Sequence, residues 1–247
     1  MGNDDANRLN LFDFFGFPDR QKRDEALQVC DINKLRLLPV EDSYLRFFEI
    51  YFEQYSAWSN HINNFSSHLW LHFLLMYYQY SKNPLDTIAA GKFQSPEAAH
   101  KIFFDTLAED VALYLISYFD KHLEMHNDLY DLKQLSGKKH ILSRKAIISE
   151  MKNVEVLKEL ANEYQRIEQS ESFIQIADIR NNFVHNKSSS YYGMEVTKLE
   201  RGVYVSGNSS GISTKSTYNS ICELLRNYEQ LCAHVNAFIK IRIELSK

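Results

Sequence analysis

Ala177-Asp178-Ile179-Arg180-Asn181-Asn182-Phe183-Val184-His185-Asn186 is the stretch on which the reading of this chain turns. It closes an apolar-periodic run from Ser172 to His185 and is followed by the polar Asn186-Lys187-Ser188-Ser189-Ser190. That pattern predicts a helix ending near the histidine. Positions five apart on an ideal helix lie about 140° apart, so Arg180 and His185 do not share a face. A long arginine can still reach round, especially if the last turn frays, and a helix C-terminus favours a protonated imidazole. Arg-x4-His alone says little: 11 Arg and 9 His in 247 residues give roughly 0.4 chance matches at a fixed spacing, and requiring Asn after the Arg lowers this to roughly 0.03.

Working outward from this stretch, the chain reads as helical almost throughout. It has only 8 Gly and 4 Pro, the residues that interrupt helices. Before the motif, Ser143 to Gln169 forms an amphipathic run, with Ile147, Met151, Val154, Leu157, Leu160, Ala161 and Tyr164 at helical spacing. Ser95-Pro96-Glu97 opens another helix, with Ser as N-cap and Pro at the first position; a further helical stretch covers about 120–135 and ends at Ser136-Gly137. Earlier still, a helical pattern starts at Glu41 (Tyr44, Phe47, Phe48, Tyr51, Phe52, Tyr55), and a second helix is expected over Asn60 to Tyr80, with a break at Asn83-Pro84. The first 40 residues carry no sustained period. Phe12, Phe14, Phe15 and Phe17 read either as a segment packed on the body, the favoured reading because exposed aromatics are costly, or as a partner-binding arm.

After the motif the character changes. From Tyr191 to Thr214 the chain is rich in Ser, Gly and β-branched residues around Arg201-Gly202, which reads as a small β-hairpin at about 194–206 inserted before a last helix over Thr217 to Leu245. The expected architecture is mainly α. It divides into an N-terminal segment with aromatic-rich helices over 1–94, packing on a helical core over 95–247.

Composition limits what such a chain does. Hydrophobic residues make up 45 % and aromatics 13 %, which supports a buried core and excludes disorder. A net charge of −4 confines any nucleic-acid contact to a local patch. Cys30, Cys222 and Cys232 are odd in number and without CxxC, reading as reduced thiols. No apolar run reaches the roughly 18 residues a membrane span needs. The polar N-terminus is unlike a secretory leader, and Ala6 stands where a myristoylation signal wants Ser or Thr. The expectation is a cytoplasmic protein with no membrane partner. GxxxxGK[ST] and GxGxxG are absent, and Gly207-Asn208-Ser209-Ser210-Gly211 reads as a turn, so nucleotide-loop classes find no support.

An Arg, then a polar residue, then a His four to six residues beyond the Arg resembles the signature of the HEPN superfamily, with Arg180, Asn181 and His185 in the matching positions. The resemblance covers roughly 95–247 and implies a HEPN-like helical bundle with the motif on its penultimate helix. It also implies a homodimer, since HEPN ribonucleases set two such motifs across a dimer. The implied activity is metal-independent RNA cleavage, in which the 2′-OH attacks its own phosphate to give a 2′,3′-cyclic phosphate. A histidine supplies a proton acceptor or donor near neutral pH, a guanidinium fork supplies charge for the phosphorus oxygens, and Asn181 orients the phosphate or the imidazole. Toxin–antitoxin or phage-defence biology, with an antitoxin or other protein partner, follows by the same analogy. Two other readings stand: a non-catalytic module binding RNA, a nucleotide or a protein, and a structural motif with Asp178 as the partner of Arg180.

Three secondary features bear on partners. Lys133, Lys138, Lys139, His140, Arg144 and Lys145 occur with no acidic residue among positions 133 to 145, and read equally as an RNA-phosphate patch or a solvated turn. His61, His68 and His72 share a stripe with Trp58 and Phe65, and His122/His126 repeat the i,i+4 spacing. Neither set is HExxH or has a local third ligand, so both read as core or groove histidines, with no metal and no cofactor expected. A groove lined by Asn60, His61, Asn64 and His68 suits a nucleotide base.

Overall fold

The computed structural model describes residues 16–39, 51–88, 95–135, 143–185, 194–199, 202–207 and 213–245. In chain order these form α1 (Arg20–Val29), a 3-10 turn (Ile32–Leu35), α2 (Tyr51–Tyr80), α3 (Pro96–Leu129), α4 (Leu132–Leu135), α5 (Arg144–Asn153), a 3-10 turn (Glu155–Leu157), α6 (Lys158–Glu168) and α7 (Glu171–His185), followed by β1 (Met194–Leu199), β2 (Gly202–Gly207) and α8 (Thr214–Leu245). The chain is mainly helical. β1 and β2 pair antiparallel, from Met194 opposite Gly207 to Leu199 opposite Gly202.

Three expectations about helix boundaries need correction. Residues 51–80 form one helix, where two were expected with a gap between Tyr55 and Asn60. Ser56-Ala57-Trp58-Ser59 holds no Gly or Pro, and the Ser59 hydroxyl bonds back to the Ser56 carbonyl at 3.1 Å, so nothing stops the helix. Residues 96–129 are likewise continuous. Conversely, the run from Ser143 to Gln169 is broken. Val154 is extended (φ −97°, ψ 108°), its N–H returns to the Met151 carbonyl, and a 3-10 turn separates α5 from α6. Apolar spacing survives the break because a 3-10 turn keeps Leu157 buried.

The helix ends follow the local chemistry. Ser95 caps α3 through its hydroxyl to the Ala98 N–H at 3.2 Å, and Ser143 caps α5 through the Ala146 N–H. Asn83 takes a left-handed φ of 52° after α2, immediately before Pro84, a conformation asparagine tolerates better than most residues.

The chain clusters into two compact units. One holds residues up to 28, 71–113 and 175–221; the other holds 29–70, 114–174 and 222–247. In the first, Phe73, Met76, Phe104, Ala108, Val111, Ile176 and Ile179 are buried, and Tyr80 stacks on Tyr218 at 3.7 Å with the planes 9° apart. Lys101 and Asp105 form an ion pair whose side chains are wholly buried. The start of α8 is held here too. Asp86 accepts the Ser213 hydroxyl at 2.8 Å and the Lys215 N–H at 3.0 Å, and the Thr214 hydroxyl donates to the Leu85 carbonyl. These two donors hold the Asp86 carboxyl below its usual range.

The second unit has an aromatic core. Phe119 packs edge-on to Tyr164 and Phe173, at 5.5 and 4.9 Å. A buried polar chain runs through it. The Tyr118 hydroxyl donates to the Leu35 carbonyl and touches Cys232 Sγ at 2.9 Å, while the Tyr164 hydroxyl lies 3.1 Å from His126 Nε2 and 3.4 Å from His122 Nδ1. Asn63 Oδ1 and Asn236 Oδ1 accept the N–H groups of Leu37 and Leu38, fastening the extended segment after the first 3-10 turn.

Candidate functional site

α7 carries the motif. Its inward stripe, Ser172, Phe173, Ile176 and Ile179, is buried. The next inward position is Phe183, yet Phe183 is 39 % exposed and Val184 46 %. The core therefore stops short of the last turn of α7, and the motif sits where the helix leaves it. Gln175 fixes α7 on the first turns of α8, donating to Ser216 Oγ at 3.0 Å and accepting from Ser220 Oγ at 2.6 Å.

Arg180 is half-buried. Its Nη1 donates to Asn181 Oδ1 at 3.1 Å, and among the described residues its buried Nε has no hydrogen-bond partner. Among the described residues no carboxylate pairs with it. Asp178, the partner that a structural role calls for, is exposed and forms no hydrogen bond or ion pair with Arg180. Asn181 is exposed, and His185 ends α7 four residues later. Positions i and i+4 share a helical face. The hydrogen bond to Asn181 thus draws the guanidinium toward the stripe that holds His185, although ideal geometry separates Arg180 and His185 themselves. The His185 side chain lies outside the described residues.

The basic cluster divides. Lys138, Lys139 and His140 lie outside the described residues. Lys145 is exposed on the first turn of α5. Arg144 is committed to a structural contact: its Nη2 donates to Asp120 Oδ2 at 3.0 Å, its Nε donates to Asp120 Oδ1, and its guanidinium lies 5.5 Å over the Phe173 ring. That bidentate fork positions the start of α5.

The other histidines fall into separate settings. His122 and His126 are fully buried; burial pushes the His122 imidazole down to about 3, with His126 adding to it, and the His126 imidazole down to about 4. His72 lies 3.4 Å from the Asp110 carboxylate. His61 and His68 are exposed and belong to a ladder of rings: Trp58–His61 at 6.0 Å, His61–Phe65 at 6.5 Å, Phe65–Tyr114 at 5.2 Å and Tyr114–His68 at 6.3 Å, the last pair 12° from parallel. At one end of the ladder a cavity of about 370 Å3 is lined by Gln54, Ala57, Trp58, His61 and Asp128. Sequence reasoning missed Asp128, because only the fold brings it to Trp58, seventy residues away. Among the described residues no group of three or more His, Cys, Asp or Glu side chains can hold a metal ion, and no helix is long and apolar enough to cross a membrane.

No curated protein and no solved structure matches this chain. A family model described as HEPN-like matches residues 58–242, three quarters of the sequence. The matched region begins inside α2, includes all of α3 to α7 and reaches nearly to the end of α8. On that match, the chain belongs to the HEPN superfamily.

Proposed function

We propose that this protein is a metal-independent endoribonuclease that works as a homodimer in the cytoplasm. The observation that carries the reading is the state of Arg180: a cation at the exposed end of α7, steered by Asn181, whose buried Nε has no hydrogen-bond partner and whose guanidinium has no paired carboxylate among the described residues. A structural arginine is normally satisfied, as Arg144 is by Asp120. An arginine kept in reserve suits an anionic ligand that arrives from outside.

In the proposed reaction the 2′-oxygen attacks the adjacent phosphorus and gives up its proton, and the bond from phosphorus to the 5′-oxygen breaks. The products are a 2′,3′-cyclic phosphate and a 5′-hydroxyl. His185 serves as the proton acceptor or donor, at a helix C-terminus that favours its charged form. Arg180 stabilises the negative charge that builds on the phosphoryl oxygens, and Asn181 holds the guanidinium in place. A second copy brings the matching motif, with Phe183 and Val184 as apolar contacts at the dimer seam. Lys138, Lys139, His140 and Lys145 are proposed to hold RNA phosphates. A toxin or defence role, with a neutralising protein partner, fits an RNA-cutting dimer of this family.

Incubation of the purified chain with RNA in EDTA tests this. The wild type should leave cyclic-phosphate ends, and Arg180→Ala and His185→Ala should each lose at least about a hundred-fold in rate. Failure of the wild type to cut a broad RNA panel while still binding it would replace the enzyme with a non-catalytic RNA-binding module.

A further inference from the structure

The cavity beside Trp58 has chemistry that the α7 motif does not use. We infer that it is a binding site for a guanine base, formed by the Trp58 indole, the His61 ring and the Asp128 carboxylate.

The ring that would take the stacking contact is fixed in place. Trp58 Nε1 donates to Asp128 Oδ2 at 2.9 Å, and His61 meets the indole edge-on, 80° from its plane. A rigid, partly exposed indole loses little freedom when a base stacks on it. Asp128 is exposed, and its other carboxylate oxygen, Oδ1, has no partner among the described residues. Gln54, also exposed, lines the same space with an amide that donates and accepts. The depression, about 370 Å3 and open to solvent, has room for one base.

These groups select among aromatic ligands. A carboxylate only accepts hydrogen bonds, so it favours a base edge that presents donors. Guanine offers two adjacent donors there, N1–H and the N2 amino group. Adenine sets its N6 amino donor beside the N1 acceptor, which a carboxylate oxygen repels. Uracil has one donor between two acceptors. The same carboxylate disfavours a phosphate at this spot, so the base and not the backbone is the part held. It also argues against a dry protein surface as the occupant: covering Asp128 with apolar side chains would bury a charge whose one hydrogen bond is to an indole. Beyond the cavity, Phe65, Tyr114 and His68 continue the rings, offering further stacking to the neighbouring bases of a single strand.

The guanine can come from a free nucleotide or from a nucleic-acid strand, and two arms separate them. In the first, Trp fluorescence and calorimetry follow titration of the wild type with guanosine, adenosine, cytidine and uridine monophosphates. In the second, fluorescence anisotropy follows five-nucleotide single-stranded DNAs with one central guanine or adenine, which 2′-OH chemistry cannot cleave. The guanine ligand should bind at least about ten-fold tighter than its adenine counterpart in one or both arms. Asp128→Asn, a change at an exposed side chain, should abolish that preference. Trp58→Phe should keep the preference with weaker binding, and Trp58→Ala should lose binding. Binding in the second arm alone identifies a strand, and in the first a free nucleotide. Equal binding of guanine and adenine, a preference that survives Asp128→Asn, or no binding at millimolar ligand would overturn the assignment. So would dissociation of a wild-type dimer by Trp58→Ala without any base binding, which would make this face a contact between copies. RNA cleavage by the α7 motif can fail without affecting any of these readouts.

Discussion

Lowering the pH from 7.5 to 5 should destabilise this protein by about 4 kcal/mol, through two histidines that never meet solvent in the native state. His122 and His126 are held neutral by burial, with imidazoles at about 3 and about 4, against about 6.5 in the unfolded chain. At pH 7.5 neither state binds the protons, and the two sites contribute nothing. As the pH falls through 6.5 the unfolded chain takes up a proton at each site and the folded one does not, so the balance shifts toward unfolding. At pH 5 the unfolded form of each site is favoured by RT ln of its protonation, about 2 kcal/mol per histidine and about 4 kcal/mol for both. Both folded values lie well below pH 5, so the figure rests almost wholly on the unfolded one. The carboxylates held low in the native state, Asp86, Glu97 and Glu163 among them, lose their contribution only at lower pH. Urea unfolding at pH 7.5 and pH 5, with the slope against denaturant held common, measures the difference. His122→Gln/His126→Gln should start from lower stability but lose little more on acidification. Wild-type stability constant to within about 1 kcal/mol over this range, or an undiminished loss in the double variant, would refute the reasoning.

Two further outcomes are expected. Lys101→Met should cost about 3–5 kcal/mol, because it leaves the Asp105 carboxylate charged and wholly buried; Lys101→Met/Asp105→Leu should recover most of that loss, as read by a double-mutant cycle in urea. On the proposed homodimer, Phe183→Asp/Val184→Asp should shift the protein toward monomer in sedimentation velocity, with a change in the monomer's melting temperature of only a few degrees, since both side chains are more than a third exposed.

Much of the helical layout was legible because helix ends are written locally. Ser95-Pro96 and Ser143 cap the helices they were read to cap, and Asn83-Pro84 ends α2 as its residues require. Internal continuity was harder to read. No residue between Tyr55 and Asn60 marks whether a helix pauses or runs on, whereas the break at Val154 is hidden because Val154 and Leu157 keep the apolar spacing of an unbroken helix. The motif was found from residue order alone, but how its parts meet was not. Spacing separates Arg180 from His185, and the bond from Arg180 to Asn181 is a choice of side-chain conformation that residue order does not reveal. Arg144 looked like one more free cation in a basic run until the fold supplied Asp120, and Asp128 had no reading until α3 carried it to Trp58. Long-range pairings of this kind have no signature in a single chain.

Gln175 joins α7 to α8 directly. Its amide bonds to Ser216 and Ser220, and Asp86 grips the start of α8 from a third part of the chain. The two helices that flank residues 186–213 are thus tied to each other by side chains outside that connection. A connection whose ends are already fixed tolerates changes of length at little cost, about 0.6 kcal/mol for each doubling. Inserting or deleting a few residues in the stretch after the RNNFVH motif should therefore leave α7 and α8 in place.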